Sequence, residues 1–396
     1  MTAVIAESFS TRSLDLQTVL ELSRRSDPIG VLSVYLDARP GDGQRAASID
    51  VKNRLADLER RLASESSPEY ARAVQDGIAR LADELERLID PEQAGRGHVL
   101  FAAIDDGWVT RVSTQLPVQS RVVLDGTPFI HPLLELLDEG RPAGVVLASR
   151  THARLLEWRL GELIPVEVLS SELIEPPHER SGPVGSRPAS RRGTPTGEQR
   201  NARERDEAAR FIERAAAAAS RLSRDRGWER LLVSAGEQLT DSLARALPPA
   251  LQEVVVRDAR VLVRLDVPAL EQIVTERLTA AHNEFERRLV RKVNEDARGA
   301  GAAALGLSEV VGALNQARVA HLIYDPFVRY RGSVGDDGSL YADGETASTY
   351  GASPDVRLTE RLVERALETG AQVTPVEGAA RDALAEASGI AAVLRW

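Results

Sequence analysis

The chain contains no cysteine, which removes disulfides and thiolate metal sites and fits a reducing compartment. Lysine is almost as scarce. Lys52 and Lys292 are the only two, and arginine carries the rest of the positive charge, as a GC-rich genome would produce. No stretch approaches the roughly 20 apolar residues of a membrane span, so no membrane partner is expected. Residues 1–12 lack a basic segment followed by an apolar core; no secretory signal is expected and the cytoplasm is the anticipated location. The GxxxxGK[ST], GxGxxG and GxSxG patterns are all missing, which argues against a phosphate-binding P-loop, a dinucleotide fingerprint and a hydrolase elbow. The Gly299-Ala300-Gly301 run interrupts a helix and has no lysine after it to hold phosphate. His98, His131, His152, His178, His282 and His321 show no HxH, HxxxH or His-carboxylate spacing. Neither a metal nor a cofactor is expected.

What remains is an ordinary globular composition, 43% hydrophobic and 28% charged, over 396 residues. That length accommodates two or three domains with their own cores. The formal net charge of −10 argues against a protein that coats nucleic acid with its whole surface. One segment departs from this balance. Between 180 and 203 lie Arg180, Arg187, Arg191, Arg192, Arg200 and Arg203, with Glu198 as the single acid. Residues 176–203 are also rich in Pro, Gly and Ser, which predicts a basic arm without fixed secondary structure in isolation.

Periodicity divides the chain into three parts. In residues 1–140, a strand over Gly30–Asp37 precedes helices over Ala46–Ala63 and Glu69–Ile89. Strands then follow at His98–Ile104, Trp108–Ser113 and Arg121–Leu124, with a helix over Ile130–Glu139 before the Gly140-Arg141-Pro142 breaker. Residues 141–260 read as a strand from Ala143–Ser149 continuing through Ala153–Arg159, a turn at Leu160-Gly161-Glu162, and a strand over Leu163–Leu169. The arm, a long helix over Asn201–Arg226 stopped by Gly227, and a βαβ pattern ending near Val256 complete this part. Residues 261–396 begin with a charged and aliphatic helix over Ala269–Arg298. They continue with a helix over Leu307–Ala317, a strand over Val319–Tyr324, a helix over Pro354–Thr369 and a strand over Gln372–Val376. A short helix over Arg381–Ala387 precedes the closing strand. Within 326–352, the aromatics Phe327, Tyr330, Tyr341 and Tyr350 with Arg329 and Arg331 suit either a hairpin packed on its own domain or a partner contact.

The wording GLSEVVGALNQARVAHLIYD and the ending GIAAVLRW resemble the third domain of archaeal and eukaryotic class I release factors and of Pelota. The three parts also follow the order of that superfamily, and the chain resembles its bacterial branch, in the group that includes the hibernation factor Balon. The resemblance implies an α/β fold class with a three-domain release-factor-like architecture. An α/β N-terminal domain (1–140) would face the decoding centre. A ribonuclease-H-like middle domain (141–260) would carry the arm, and a C-terminal α/β sandwich (261–396) would be related to kink-turn-binding proteins. Relatives carry Gly-Gly-Gln in the arm, where the glutamine positions water against the peptidyl-tRNA ester. Here Thr196-Gly197-Glu198-Gln199 stands in that place, so Gly197 and Gln199 are the candidate catalytic residues. The adjacent glycine is replaced by Glu198, whose charge opposes a developing oxyanion, while the lost glycine removes backbone freedom. Relatives also meet the stop codon with Asn-Ile-Lys-Ser at a helix start. Asp50-Val51-Lys52-Asn53 aligns with it, making Lys52 and Arg54 candidates for decoding-region contact, against an ordinary solvated helix face.

The implied function is a factor that enters the ribosomal A site in hibernation or rescue rather than a termination enzyme. Arg187, Arg191, Arg192, Arg200 and Arg203 would contact ribosomal RNA through its phosphates. The implied partners are the ribosome, tRNA and an elongation-type GTPase such as EF-Tu. The alternatives are a peptidyl-tRNA hydrolase or tRNA nuclease using Gln199, and a nonribosomal stress protein that kept the fold.

Overall fold

The computed structural model describes residues 6–10, 13–38, 42–90, 95–171, 197–299, 301–342, 353–355 and 358–396. They form two compact units, Met1–Gly140 with Thr279–Trp396, and Arg141–Leu278. The class is mixed α/β, as the sequence implies.

The first unit opens with β1 (Ala6–Ser10), α1 (Leu16–Ser23), β2 (Val31–Asp37), α2 (Asp42–Glu65), α3 (Pro68–Arg80) and α4 (Ala82–Leu88). There follow β3 (Gly97–Ala103), β4 (Val109–Thr114), β5 (Arg121–Asp125) and α5 (His131–Glu139). The sheet order is β1-β4-β3-β2-β5, antiparallel except for the parallel β1–β4 pair. The central strands β2 and β3 are buried along almost their whole length, which explains why both read as continuous apolar runs. Val51 and Leu58 of α2 and Val74 and Ile78 of α3 cover Leu32, Val34 and Leu100. Ser67 caps α3 by accepting from Tyr70 N at 3.2 Å, with Pro68 in the first turn where its missing N–H costs nothing. The sequence suggests one helix over Glu69–Ile89; the chain instead breaks at Leu81 (φ −89°, ψ 6°). Leu81 is buried, and its N–H meets the Gly77 and Ile78 carbonyls at 3.2 and 3.1 Å, a tightened turn that separates α3 from α4. Loops on this sheet converge on the buried Asp27 carboxylate, which accepts from Ile29 N, Gly30 N, Asp105 N and Asp106 N at 2.8–3.0 Å.

The second unit contains β6 (Ala143–Ala148), β7 (His152–Arg159), β8 (Glu162–Ser170), α6 (Gly197–Arg226), β9 (Arg230–Ser234), α7 (Glu237–Ala246), α8 (Pro249–Gln252) and β10 (Val255–Asp258). Its sheet order, β10-β9-β6-β7-β8, joins an antiparallel β6-β7-β8 meander to two parallel strands, the ribonuclease-H-like arrangement. The continuous strand expected across Ser149–Ala153 is in fact a hairpin turn. Ser149 Oγ accepts from Thr151 N (3.3 Å) and His152 N (3.0 Å), so a local side-chain bond competes with extension. Phe211, Ala215, Ala219 and Leu222 of α6 pack on Val146, Leu155 and Val233. Fully buried Trp158 donates from Nε1 to Thr275 Oγ1 at 3.0 Å on α9 (Val267–Arg298), the helix whose first part belongs to this unit.

The first unit resumes within α9 and adds β11 (Ala303–Leu305), α10 (Gly306–Asn315), β12 (Val319–Tyr324), β13 (Gly332–Val334), β14 (Leu340–Ala342) and β15 (Ser353–Asp355). It closes with α11 (Leu358–Glu368), β16 (Gln372–Pro375), α12 (Gly378–Leu384) and β17 (Ile390–Leu394). The main sheet here is β11-β17-β12-β16, backed by Val290 and Val293 of α9 and by Ala380 and Leu384 of α12. The small β14-β13-β15 sheet is antiparallel. The helix expected from Pro354 starts later, at Leu358, because Pro354 lies opposite Ser333 in β15, an edge strand where a missing N–H is tolerated. Tyr330 is buried and donates to Gly389 O at 2.6 Å, so this part of the 326–352 segment packs on its own unit; Tyr350 lies outside the described residues.

Gly144 on β6 permits a close approach within the second unit. A Cβ there would lie 2.1 Å from Cε3 of the Trp228 ring. Gly144→Ala is expected to displace Trp228 and destabilise the protein by about 1–3 kcal/mol, as overpacking does. Denaturant unfolding followed by tryptophan fluorescence measures it; an unchanged midpoint would refute the packing argument.

Candidate functional site

The residues singled out by the arm divide in two. Arg187, Arg191 and Arg192 lie outside the described residues. Gly197, Gln199, Arg200 and Arg203 lie on the first turns of α6, while the side chains of 197–204 are outside the described part. The backbone thus carries the Gly197-Glu198-Gln199 triplet at a helix start, one turn earlier than the periodicity suggested. Lys52 and Arg54 are exposed on α2, whose buried face is formed by Val51 and Leu58. Arg54 Nε meets Asp50 at 2.7 Å, an i,i+4 pair on a solvated face worth a few tenths of a kcal/mol. Asp50 therefore offsets one of the two charges available for contact with RNA.

A cleft of about 820 Å³ opens beside α6 in the second unit. Arg150 reaches it from the β6–β7 turn, Arg205 from α6 and Arg245 from α7, with Glu213 as the opposing acid and Gln238 and Ser242 as neutral donors. All three arginines are exposed. Arg245 Nε is held at 3.2 Å by the Asp241 carbonyl of its own helix. Hydroxyl, amide and guanidinium donors on a convex helix root are the equipment of phosphate-backbone contact. Sequence reasoning found the arm but not this cleft, because Arg150, Arg205 and Arg245 belong to three elements and share no spacing.

A second polar site lies in the first unit, where α5, β5, α9 and the start of α12 line a cleft of about 500 Å³. Arg121 projects from β5, its guanidinium 4.0 Å from the Phe327 ring and 5.7 Å from Phe129, and its Nη2 is 3.5 Å from Glu377. Glu135 on α5 hydrogen-bonds Glu377 through its side chain. Two carboxyl groups can do so only with a proton between them. Burial and then the negative charge of Glu377, Glu286 and Glu139 hold the Glu135 carboxyl well above the usual carboxylate range. Glu286 on α9 is also pushed up, chiefly by burial.

Beneath the cleft runs a chain of buried hydrogen bonds. Thr374 Oγ1 donates to Asp138 at 2.8 Å and lies 2.9 Å from His321 Nε2. His131 Nδ1 is 2.8 Å from the Tyr324 hydroxyl. Burial, reinforced by Arg121, lowers the His131 pKa to about 4 from 6.5, so the imidazole is neutral in the folded protein. Its contribution to stability is full above about pH 6.5 and is lost as the pH falls toward about 4. None of this was visible from histidine spacing. The His282–Glu286 i,i+4 pair on α9, at 3.4 Å, was the one available signal. Among the described residues no group of three or more His, Cys, Asp or Glu is placed to hold a metal ion.

Glu135 has the opposite sign from His131. A carboxyl whose folded pKa is raised favours folding at low pH and loses that contribution as the pH rises through the folded value. Glu135→Gln retains a donor toward Glu377 without a charge. It is expected to raise the thermal midpoint by a few degrees at pH 7.5 and to change it little at pH 4.5. Thermal melts at the two pH values check this, and a loss at pH 7.5 would contradict the shared proton.

Residues 128–283 match the family model described as Bacterial archaeo-eukaryotic release factor family 10. No curated protein sequence matches the chain. Among solved structures, the chain is similar to an archaeal translation termination factor, aRF1, with 17% identity and a TM-score of 0.27 over 98% of this chain and 99% of that one. It is similar to Archaeoglobus fulgidus Pelota, with 14% identity and a TM-score of 0.32 over 76% and 79% of the two chains. It is also similar to Dom34 of S. cerevisiae, with 9% identity and a TM-score of 0.38 over 76% and 86%. Superpositions this loose describe no shared overall geometry. From α5 to the middle of α9 the chain carries the bacterial archaeo-eukaryotic release-factor signature, and the resemblance read from its sequence stands at the level of that superfamily.

Proposed function

We propose that this protein is a ribosome-associated translation factor that binds the A site in hibernation or rescue. The observation that carries the reading is the arginine-rich segment leading into α6, inside the stretch that matches the release-factor family, with the Arg150–Arg205–Arg245 cleft at its root. A chain of net charge −10 repels RNA over most of its surface, so contact is confined to the places where arginine is concentrated. Guanidinium groups suit phosphate by forked hydrogen bonding, and each contact releases counterions. In this proposal residues 1–140 face the decoding centre and the middle part, 141–260, presents the arm to the peptidyl-transferase centre. Residues 261–396 meet an elongation-type GTPase. The chemistry of the arm favours binding over hydrolysis, since Glu198 places a carboxylate where an oxyanion would need stabilising.

Co-sedimentation with purified ribosomes at several salt concentrations tests the reading. Binding is expected to weaken steeply as salt rises. In the Arg187→Ala, Arg191→Ala, Arg192→Ala, Arg200→Ala quadruple variant, affinity should fall and the salt slope should drop by roughly one unit per lost phosphate contact. The melting temperature should hardly move. Equal affinity and slope in a folded quadruple variant would remove the arm from the interface.

A peptidyl-tRNA release assay is expected to show little or no hydrolysis. Robust release abolished by Gln199→Ala would make the protein an enzyme instead.

A further inference from the structure

We propose that the cleft between α5, β5, α9 and α12 of the first unit is a binding site for an extended organic polycation of the linear polyamine class. The site stands apart from the arm and does not depend on the ribosome reading. Its wall carries the carboxylates Glu135, Glu139, Glu286 and Glu377 against Arg121 and Arg287, an excess of acid even with one proton shared between Glu135 and Glu377. Acidity alone would not make a ligand site. The second observation is that Glu286, with its side chain only 6% exposed, lines this cleft with a carboxylate oxygen, Oε1, that accepts no hydrogen bond. His282 Nε2 lies 3.4 Å away, within charge-pairing range but outside hydrogen-bonding geometry, and is itself without a hydrogen-bond partner. A buried carboxylate oxygen left without a donor costs on the order of 1–3 kcal/mol, which a cationic donor entering the cleft would recover.

The distribution of the acids selects the kind of cation. They do not converge on one point as a metal-ligand set does among the described residues. They are spread over a cleft of about 500 Å³, which lies within the usual range for small-molecule sites. Between them the wall is apolar, formed by Pro132, Leu136 and Ala380. Charges separated by apolar surface match ammonium groups separated by methylenes, each ammonium meeting a carboxylate while the chain lies on hydrocarbon. Arg121, stacked on Phe327 and paired with Glu377, bounds one part of the cleft and limits how many charges the ligand can place there.

Isothermal titration of the full-length protein with spermidine at low salt tests the site, with magnesium chloride titrated as the compact-cation control. One saturable site is expected for spermidine, with a rise in melting temperature that follows ligand concentration. Glu286→Gln keeps the shape of a side chain that is costly to bury charged, and is expected to fold and to bind about tenfold or more weakly. Ala379→Arg, on the exposed rim of the cleft, places a cation of the chain's own in the site and is expected to abolish binding in a protein that melts normally. If Glu286→Gln does not fold, the Ala379→Arg result decides alone. No saturable binding by the wild type, equal binding by the folded variants, or the same response to magnesium at equal charge each overturns the proposal.

Discussion

The first unit depends on a buried polar seam that ties the helix before residue 140 to the sheet after residue 319. Thr374 bridges Asp138 and His321, and His131 meets Tyr324, all within a low-dielectric interior where a missing partner costs more than a formed bond returns. These bonds are mutually dependent. Rotating α5 enough to break one would leave a carboxylate, an imidazole and two hydroxyls unsatisfied together. The two segments are thereby fixed in register more sharply than apolar packing alone would fix them, since hydrophobic contacts tolerate sliding and hydrogen bonds do not. The acid-lined cleft is held open above this seam by the same helix, with Glu135 and Glu139 following His131 on α5.

Much of the fold could be read from periodicity because its central strands are buried on both faces. Val31–Asp37 and Val319–Tyr324 appear as short apolar runs, and the closing Ile390–Leu394 strand does the same. Failures occurred where a local bond outweighed pattern. Ser149 folds its own turn, Leu81 tightens a helix, and Pro354 starts an edge strand rather than a helix. β1 escaped notice altogether. Its five residues pair in parallel with β4, about a hundred positions later, and nothing in Ala6–Ser10 announces that partner.

The candidate sites divide along the same line. The arginine-rich segment was legible because it is contiguous in sequence, and composition is a contiguous property. Arg150, Arg205 and Arg245 were not, nor were Arg121, Glu135, Glu286 and Glu377, because each set is assembled by topology from separate elements. Glu135 shows the limit best. On sequence it is one acid in an amphipathic helix, and only the arrival of Glu377 and Glu286 turns it into a group that holds a proton.

The interrupted path of the first unit has a consequence for how the chain emerges during synthesis. The Thr374–Asp138 bond joins residues 236 positions apart, and His131–Tyr324 joins residues 193 apart, with the whole second unit encoded between them. Contacts of such long sequence separation form late. The second unit, being continuous, can close its core while the first still waits for its final strands. Until those strands arrive, α5 exposes the face that will carry Asp138 and His131, so the nascent chain passes through a stage with one finished unit and one half-built.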